Sequence, residues 1–172
     1  MGEMPLGIYQ NAYKITTLPM SEINDIFYKV TFPIYTKLST DPERLKKAVV
    51  KQVLATMSVL GVIGLVFFIF SKEVVLIVLG PDWIGAAKVV KVLAFLGTIR
   101  GITFSFNSLF LALERQKYVT YITFFSLLGM AIVLIPLINI YGIVGAAIAE
   151  MFGSIVTLPC AFYLMRKVFR SL

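Results

Sequence analysis

The chain has 172 residues, 59% hydrophobic and only 15% charged, with a mean hydropathy of +0.89 and a formal net charge of +7. A water-soluble chain of this length cannot hide so much apolar surface, and the apolar residues are bunched: Gln52 to Ser71 carries no charge, and Tyr118 to Met165 carries only Glu150. Histidine is absent and Cys160 is the single cysteine, which leaves little material for metal sites, triad chemistry or an intramolecular disulfide.

A hydrocarbon core about 30 Å thick takes about 20 apolar residues in a helix, so the sequence reads as an all-α polytopic membrane protein, one membrane domain over residues 1–172. The start "MGEMPLGIYQNAYKI" has no basic n-region and no cleavage site after an apolar core, so it is not a signal peptide. Met1-Gly2 fails as an acylation start because position 6 is leucine.

Five spans are predicted. The first covers about residues 6–33 and is the least apolar. Asn11 and Lys14 follow Gly7 at helical spacing, and Ser21 and Asp25 continue roughly the same stripe, so this span is not expected to face lipid. Asp25 and Lys29, four apart, are expected to form a local ion pair. The second span covers about residues 45–71, and Lys72 to Leu79 reads either as its continuation or as a separate short interfacial helix. "GPDW" at Gly80 to Trp83 is a turn ending in an interfacial aromatic.

The third span, about residues 86–113, holds Arg100 near its middle, roughly 20 Å from either end at 1.5 Å per residue. An arginine at that depth costs at least about 2.5 to 3.5 kcal/mol and normally faces a bundle interior or a wet cavity with a partner. Thr103 and Asn107 lie on its face of the helix. Two readings stay open: a guanidinium offered to a phosphate or pyrophosphate, or a structural pair with Glu150.

The charged break "ERQK" at Glu114 to Lys117 separates this span from the fourth, about residues 118–138, and "NIYG" at Asn139 to Gly142 reads as a tight turn. The fifth span covers about residues 142–168. Gly145, Ala149 and Gly153 repeat every four positions, a pattern for close helix packing. Glu150 reads as the counter-ion of Arg100 or Lys14, or as a proton site. Pro19, Pro136 and Pro159 lie within or near spans, and Trp83, Tyr118, Tyr121 and Tyr141 near span ends read as an interfacial belt. The glycine-rich "GIVGAAIAEMFG" follows no strand and is not a phosphate-binding loop.

Eleven of the 16 basic residues fall at alternate span ends, at Lys29 to Lys51, at Arg115 and Lys117, and at Arg166 to Arg170. By the positive-inside rule that side is cytoplasmic, the N-terminus is outside and the C-terminus inside, and the net charge calls for no nucleic-acid partner.

The order of these features resembles that of oligosaccharide flippases of the polysaccharide transporter family, in the superfamily that includes multidrug extruders. The resemblance lies in "LGIYQNAYKITTLPMSEINDIFYKVTFPIYTKL", which looks like the eighth span of such carriers, and in "TDPERLKKAV", "VLIVLGPDWIGAAKVVKVLAF", "LFLALERQKYV" and "YGIVGAAIAE" after it. It implies a two-lobed helical carrier that passes lipid-linked oligosaccharide across the cytoplasmic membrane by alternating access, with no cofactor or metal and no enzymatic activity. The five spans would form most of one lobe, with a missing N-terminal lobe or second chain as partner and a polyprenyl-pyrophosphate-linked oligosaccharide as substrate. Lys14 and Arg100 are the cations expected in its cavity, with Asn11, Thr103, Asn107 and Glu150 beside them. The rivals are a drug/cation antiporter half of the same superfamily, disfavoured by two midspan cations against one acid, and an inactive truncated fragment or membrane scaffold.

Overall fold

The computed structural model describes residues 3–171, with side chains from 6 to 170; Met1 and Gly2, with the rejected acylation start, lie outside them. Among the described residues every regular element is helical: α1 (Glu3–Lys37), α2 (Pro42–Ile69), α3 (Ser71–Val78), a 3-10 turn at Pro81–Trp83, α4 (Ala86–Leu93), α5 (Leu96–Ala112), α6 (Gln116–Tyr141) and α7 (Ile143–Ser171). Four stretches are long and apolar enough to cross a membrane: α2, the α4–α5 stretch, α6 and α7. The expected five included α1, which is the longest helix but carries Asn11, Lys14, Glu22, Asp25 and Lys29 along its length and does not qualify on composition. Phe124, Leu127, Ile132 and Ile135 on α6 remain exposed, which suits lipid and not water. The protein is a multi-pass membrane protein.

The helix limits depart from expectation for identifiable reasons. Pro19 and Pro33 do not end α1, which continues to Lys37. The expected second span is α2, opened by Pro42 at its first position and by Asp41, whose carboxylate accepts from the Arg44 N–H at 3.1 Å. Residues after Phe70 form the separate short helix α3. The third span is broken at Ala94 and Phe95, against which α2 packs closely: a Cβ on Gly64 would come within 2.8 Å of the Ala94 carbonyl oxygen. "NIYG" is not a four-residue turn, because α6 runs through Tyr141 and the chain reverses on Gly142 alone (φ 60°, ψ −134°), whose N–H bonds the Ile138 carbonyl. At the other reversal Glu114 takes a positive φ of 58°, and the Arg115 N–H reaches back to the Phe110 carbonyl at 2.7 Å.

Helix α5 holds the bundle together. Helices α1, α2 and α7 all pack against it, and α6 pairs with α7 as a hairpin. One apolar cluster, with Tyr35, Leu45, Phe110 and Leu164, fills one end of the bundle, and a second, with Ala12, Val75, Leu93 and Ala147, fills the other. The chain reversals after α1 and α5 and the end of α7 share the first end, so the basic residues of those segments gather there. Trp83 and Tyr118 are partly buried against the clusters, Tyr118 edge-on to Phe110 at 5.5 Å, while Tyr121 and Tyr141 are exposed.

Glycines set the helix separations. A Cβ on Gly97 would strike the Met20 side chain, one on Gly101 would meet Asn24, Leu60 and Thr56 at 2.7 Å, and one on Gly145 would strike the Leu137 carbonyl. Gly153 lies against the Ser126 carbonyl, 2.8 Å from where its Cβ would be. Gly145→Val and Gly153→Val are therefore expected to destabilise the α6–α7 hairpin by about 1–3 kcal/mol or more, read as a lower melting temperature in detergent. Gly61→Val, with nothing within 4 Å of the added carbon, leaves it unchanged to within about 0.5 kcal/mol.

Candidate functional site

Arg100 lies in the second turn of α5, between two glycines of the packed face, Gly97 and Gly101. In a helix the side chain leans towards the N-terminus, and the guanidinium reaches neighbours on two other helices. Its Nη1 donates to the Tyr13 hydroxyl of α1 at 2.6 Å, and its Nη2 donates to Glu150 Oε1 of α7 in an ion pair. The guanidinium also lies over the Tyr13 ring, 5.8 Å from its centre, and Tyr13 stacks on Tyr9 at 6.0 Å. One cation thus ties α1, α5 and α7 together.

The pair is asymmetric in exposure: the Arg100 side chain is 43% exposed and that of Glu150 13%. Five N–H donors belong to a guanidinium, and two contacts leave donors over for an outside acceptor. Below it a cleft of about 230 Å³ opens between α5, α6 and α7. Its walls carry Thr103 and Asn107 from α5, Thr123 and Ser126 from α6, and Ser154 and Thr157 from α7. The Thr103 and Thr157 hydroxyls bond each other at 3.2 Å, and Thr157 donates to the Ser154 carbonyl at 2.6 Å. Asn107 Oδ1 is buried with no protein partner. The wall is rich in hydroxyls and has no charge besides Arg100, whose own charge Glu150 offsets.

The structure brings together four of the six residues singled out from sequence: Arg100 and Glu150 as a pair, Thr103 and Asn107 on the cleft wall with Arg100. Lys14 is exposed and makes no ion pair or hydrogen bond among the described residues, and Asn11 is half-buried on α1 without joining the cluster. Asp25 and Lys29 do not form the expected ion pair; both are exposed, where such a pair gains little over water. Sequence reasoning missed Tyr13 and the hydroxyls of α6 and α7. The signal was present on α7, where Glu150, Ser154 and Thr157 repeat the i, i+4, i+7 spacing of a single helix face.

Against known proteins, the family model described as "Polysaccharide biosynthesis protein" matches residues 1–88. The teichuronic acid biosynthesis protein TuaB of Bacillus subtilis (strain 168) is 32% identical over 123 residues, covering 70% of this chain and 25% of its own length. The lipopolysaccharide biosynthesis protein WzxC of Escherichia coli (strain K12) is 28% identical over 157 residues, 89% of this chain and 30% of that one. An uncharacterized membrane protein in the cps region of Klebsiella pneumoniae is 24% identical over 173 residues, 97% of this chain and 34% of that one. No solved structure matches. The chain belongs to the polysaccharide biosynthesis protein family, within the polysaccharide transporters, and spans a quarter to a third of the length of these relatives.

A double-mutant cycle measures the pair. Arg100→Gln and Glu150→Gln, singly and together, are expected to show a coupling of about 1–3 kcal/mol in unfolding in detergent, because either single change leaves a partner with its charge or hydrogen bond unmet.

Proposed function

We propose that this chain forms most of one lobe of a carrier that flips lipid-linked oligosaccharide across the cytoplasmic membrane for cell-surface polysaccharide synthesis, and that it is not an enzyme. The observation that carries the reading is Arg100: a guanidinium fixed by Tyr13 and Glu150, with free donors, at the mouth of a hydroxyl-lined cleft. Such a group suits the oxygens of a polyprenyl pyrophosphate, and the hydroxyl walls suit the sugars. Relatives named for teichuronic acid and lipopolysaccharide biosynthesis support a cell-surface glycan as the cargo.

In this reading α1 also crosses the membrane, as the first of five spans, and is polar because it faces the cavity and not lipid. A companion lobe, continuous with this chain or separate, closes the cavity, and alternating access exposes Arg100 to each side in turn. The basic end of the bundle lies in the cytoplasm, which puts the start of α1 outside and the end of α7 inside. Lys14, exposed and unpaired on α1, supplies a second cation to the substrate.

The test is flipping of a fluorescent polyprenyl-pyrophosphate oligosaccharide by vesicles holding this chain with the segment that completes its cavity. Arg100→Gln is expected to lower the rate by at least about tenfold, roughly the 1.4 kcal/mol of one charge-assisted contact. Arg100→Lys is expected to fall between, since an ammonium cannot hold Tyr13, Glu150 and a phosphate in one plane. Flipping that survives Lys14→Gln with Arg100→Gln overturns the cavity assignment.

A further inference from the structure

At its basic end helix α2 presents a face that no other helix covers among the described residues. Glu43, Lys46, Lys47, Val50, Lys51 and Leu54 line an open groove of about 450 Å³. None of the three lysines forms an ion pair among the described residues, whereas the neighbouring Arg44 is held by Asp41 at 3.3 Å. Val50 is 50% exposed and Leu54 58%, so the groove is apolar on its bilayer side. From Gln52 to Ile69 the helix has no charge, 18 residues that span roughly 27 Å at 1.5 Å per residue. That length nearly fills a hydrocarbon core of about 30 Å, so Lys51 stands at the membrane boundary and Lys46 and Lys47 just above it, at phosphate level.

These lysines do not serve their own helix. They lie in the second and third turns of α2, and none of them pairs with a carboxylate of that helix. An anion in the groove meets three unpaired ammonium groups at once. Orientation by loop charge accounts for basic residues on this side of the membrane but not for their alignment on an exposed helix surface, with Val50 beside Lys51 and Leu54 about one turn deeper.

We propose that this groove binds an acidic phospholipid that carries two phosphates, with Lys46, Lys47 and Lys51 on the headgroup and Val50 and Leu54 against the acyl chains. Lys46 and Lys51 are separated by about 7.5 Å along the helix axis and by about 140° around it, so the three ammonium groups are spread widely enough to meet two phosphates at once. The net charge of the groove, three lysines against Glu43, matches a doubly charged headgroup. The inference stands apart from the transport reading, because α2 contributes no residue to the Arg100 cluster or its cleft.

The probes are cardiolipin, phosphatidylglycerol and phosphatidylcholine, titrated into the detergent-purified protein and followed by native mass spectrometry. Cardiolipin is expected to bind at least about tenfold more tightly than phosphatidylglycerol, and phosphatidylcholine not to bind specifically. Lys46→Gln, Lys47→Gln and Lys51→Gln together are expected to weaken cardiolipin by on the order of a hundredfold, from about 1 kcal/mol for each lysine at an anionic surface. As a charge control, Lys117→Gln, Lys167→Gln and Arg170→Gln remove the same charge from exposed positions at the same end and are expected to leave it within about twofold. Equal binding of the three lipids, or an equal loss in the control variant, overturns the proposal. So does efficient disulfide dimerisation of Leu54→Cys in membranes, which would mean that a second copy covers this face.

Discussion

In a bilayer, apolar helices gain nothing from hiding from one another, so what holds them is the closeness with which their backbones pack. Four glycines supply that closeness at three helix pairs of this bundle: Gly97 and Gly101 seat α5 against α1 and α2, and Gly145 and Gly153 seat α7 against α6. Close seating sets the distance across which side chains must reach. Arg100, one residue before Gly101, is carried into range of α1 and α7 by it, and its bonds to Tyr13 and Glu150 then become polar ties between helices that dispersion already holds. The cluster is a consequence of packing as much as a cause of it.

The choice between a phosphate and a carboxylate for Arg100 is not exclusive. Glu150 satisfies one nitrogen and Tyr13 another, which lets a mostly apolar chain carry the charge into the membrane without a ligand. In the proposed reading the fixed contacts also orient the guanidinium plane, so that less conformational entropy would be lost on binding an acceptor. A cation held in this way differs from Lys14, which is exposed and makes no hydrogen bond or ion pair among the described residues.

Much of the architecture was legible in the sequence. Uninterrupted apolar blocks marked α2, α6 and α7, and the charged break before Gln116 and the basic ends of the spans were plain. What escaped was governed by contacts between helices. The break at Ala94 has no glycine or proline of its own and sits opposite Gly64, 30 residues earlier, so no local pattern could announce it. Lys14 and Arg100 were grouped as the cations of one cavity, yet a charge in a span says nothing of azimuth: Tyr13, next to Lys14, is the residue turned to Arg100. On α7 the small-residue stripe drew attention away from Ser154 and Thr157, which share a face with Glu150 and line the cleft. Arg100, Glu150, Thr103 and Asn107 were legible because a polar residue in an apolar span is conspicuous wherever its neighbours lie.

The single-residue connection at Gly142 leaves the last helix no slack. Inserting one residue there would turn α7 by about 100° and advance it by about 1.5 Å relative to α6. Glu150 would leave Arg100, and Gly145 and Gly153 would rotate off their carbonyls and bring side chains of full size in their place. The four residues Leu38–Asp41 after α1, by contrast, form a longer turn in which Ser39 and the exposed Thr40 lie between Leu38, packed on the core, and the capping Asp41, so an extra residue at Thr40 can be taken up in the loop. Length variation among related chains should therefore gather at the first reversal and be excluded from the last, so that the reading frame of α7 is held by geometry at both ends of the same hairpin.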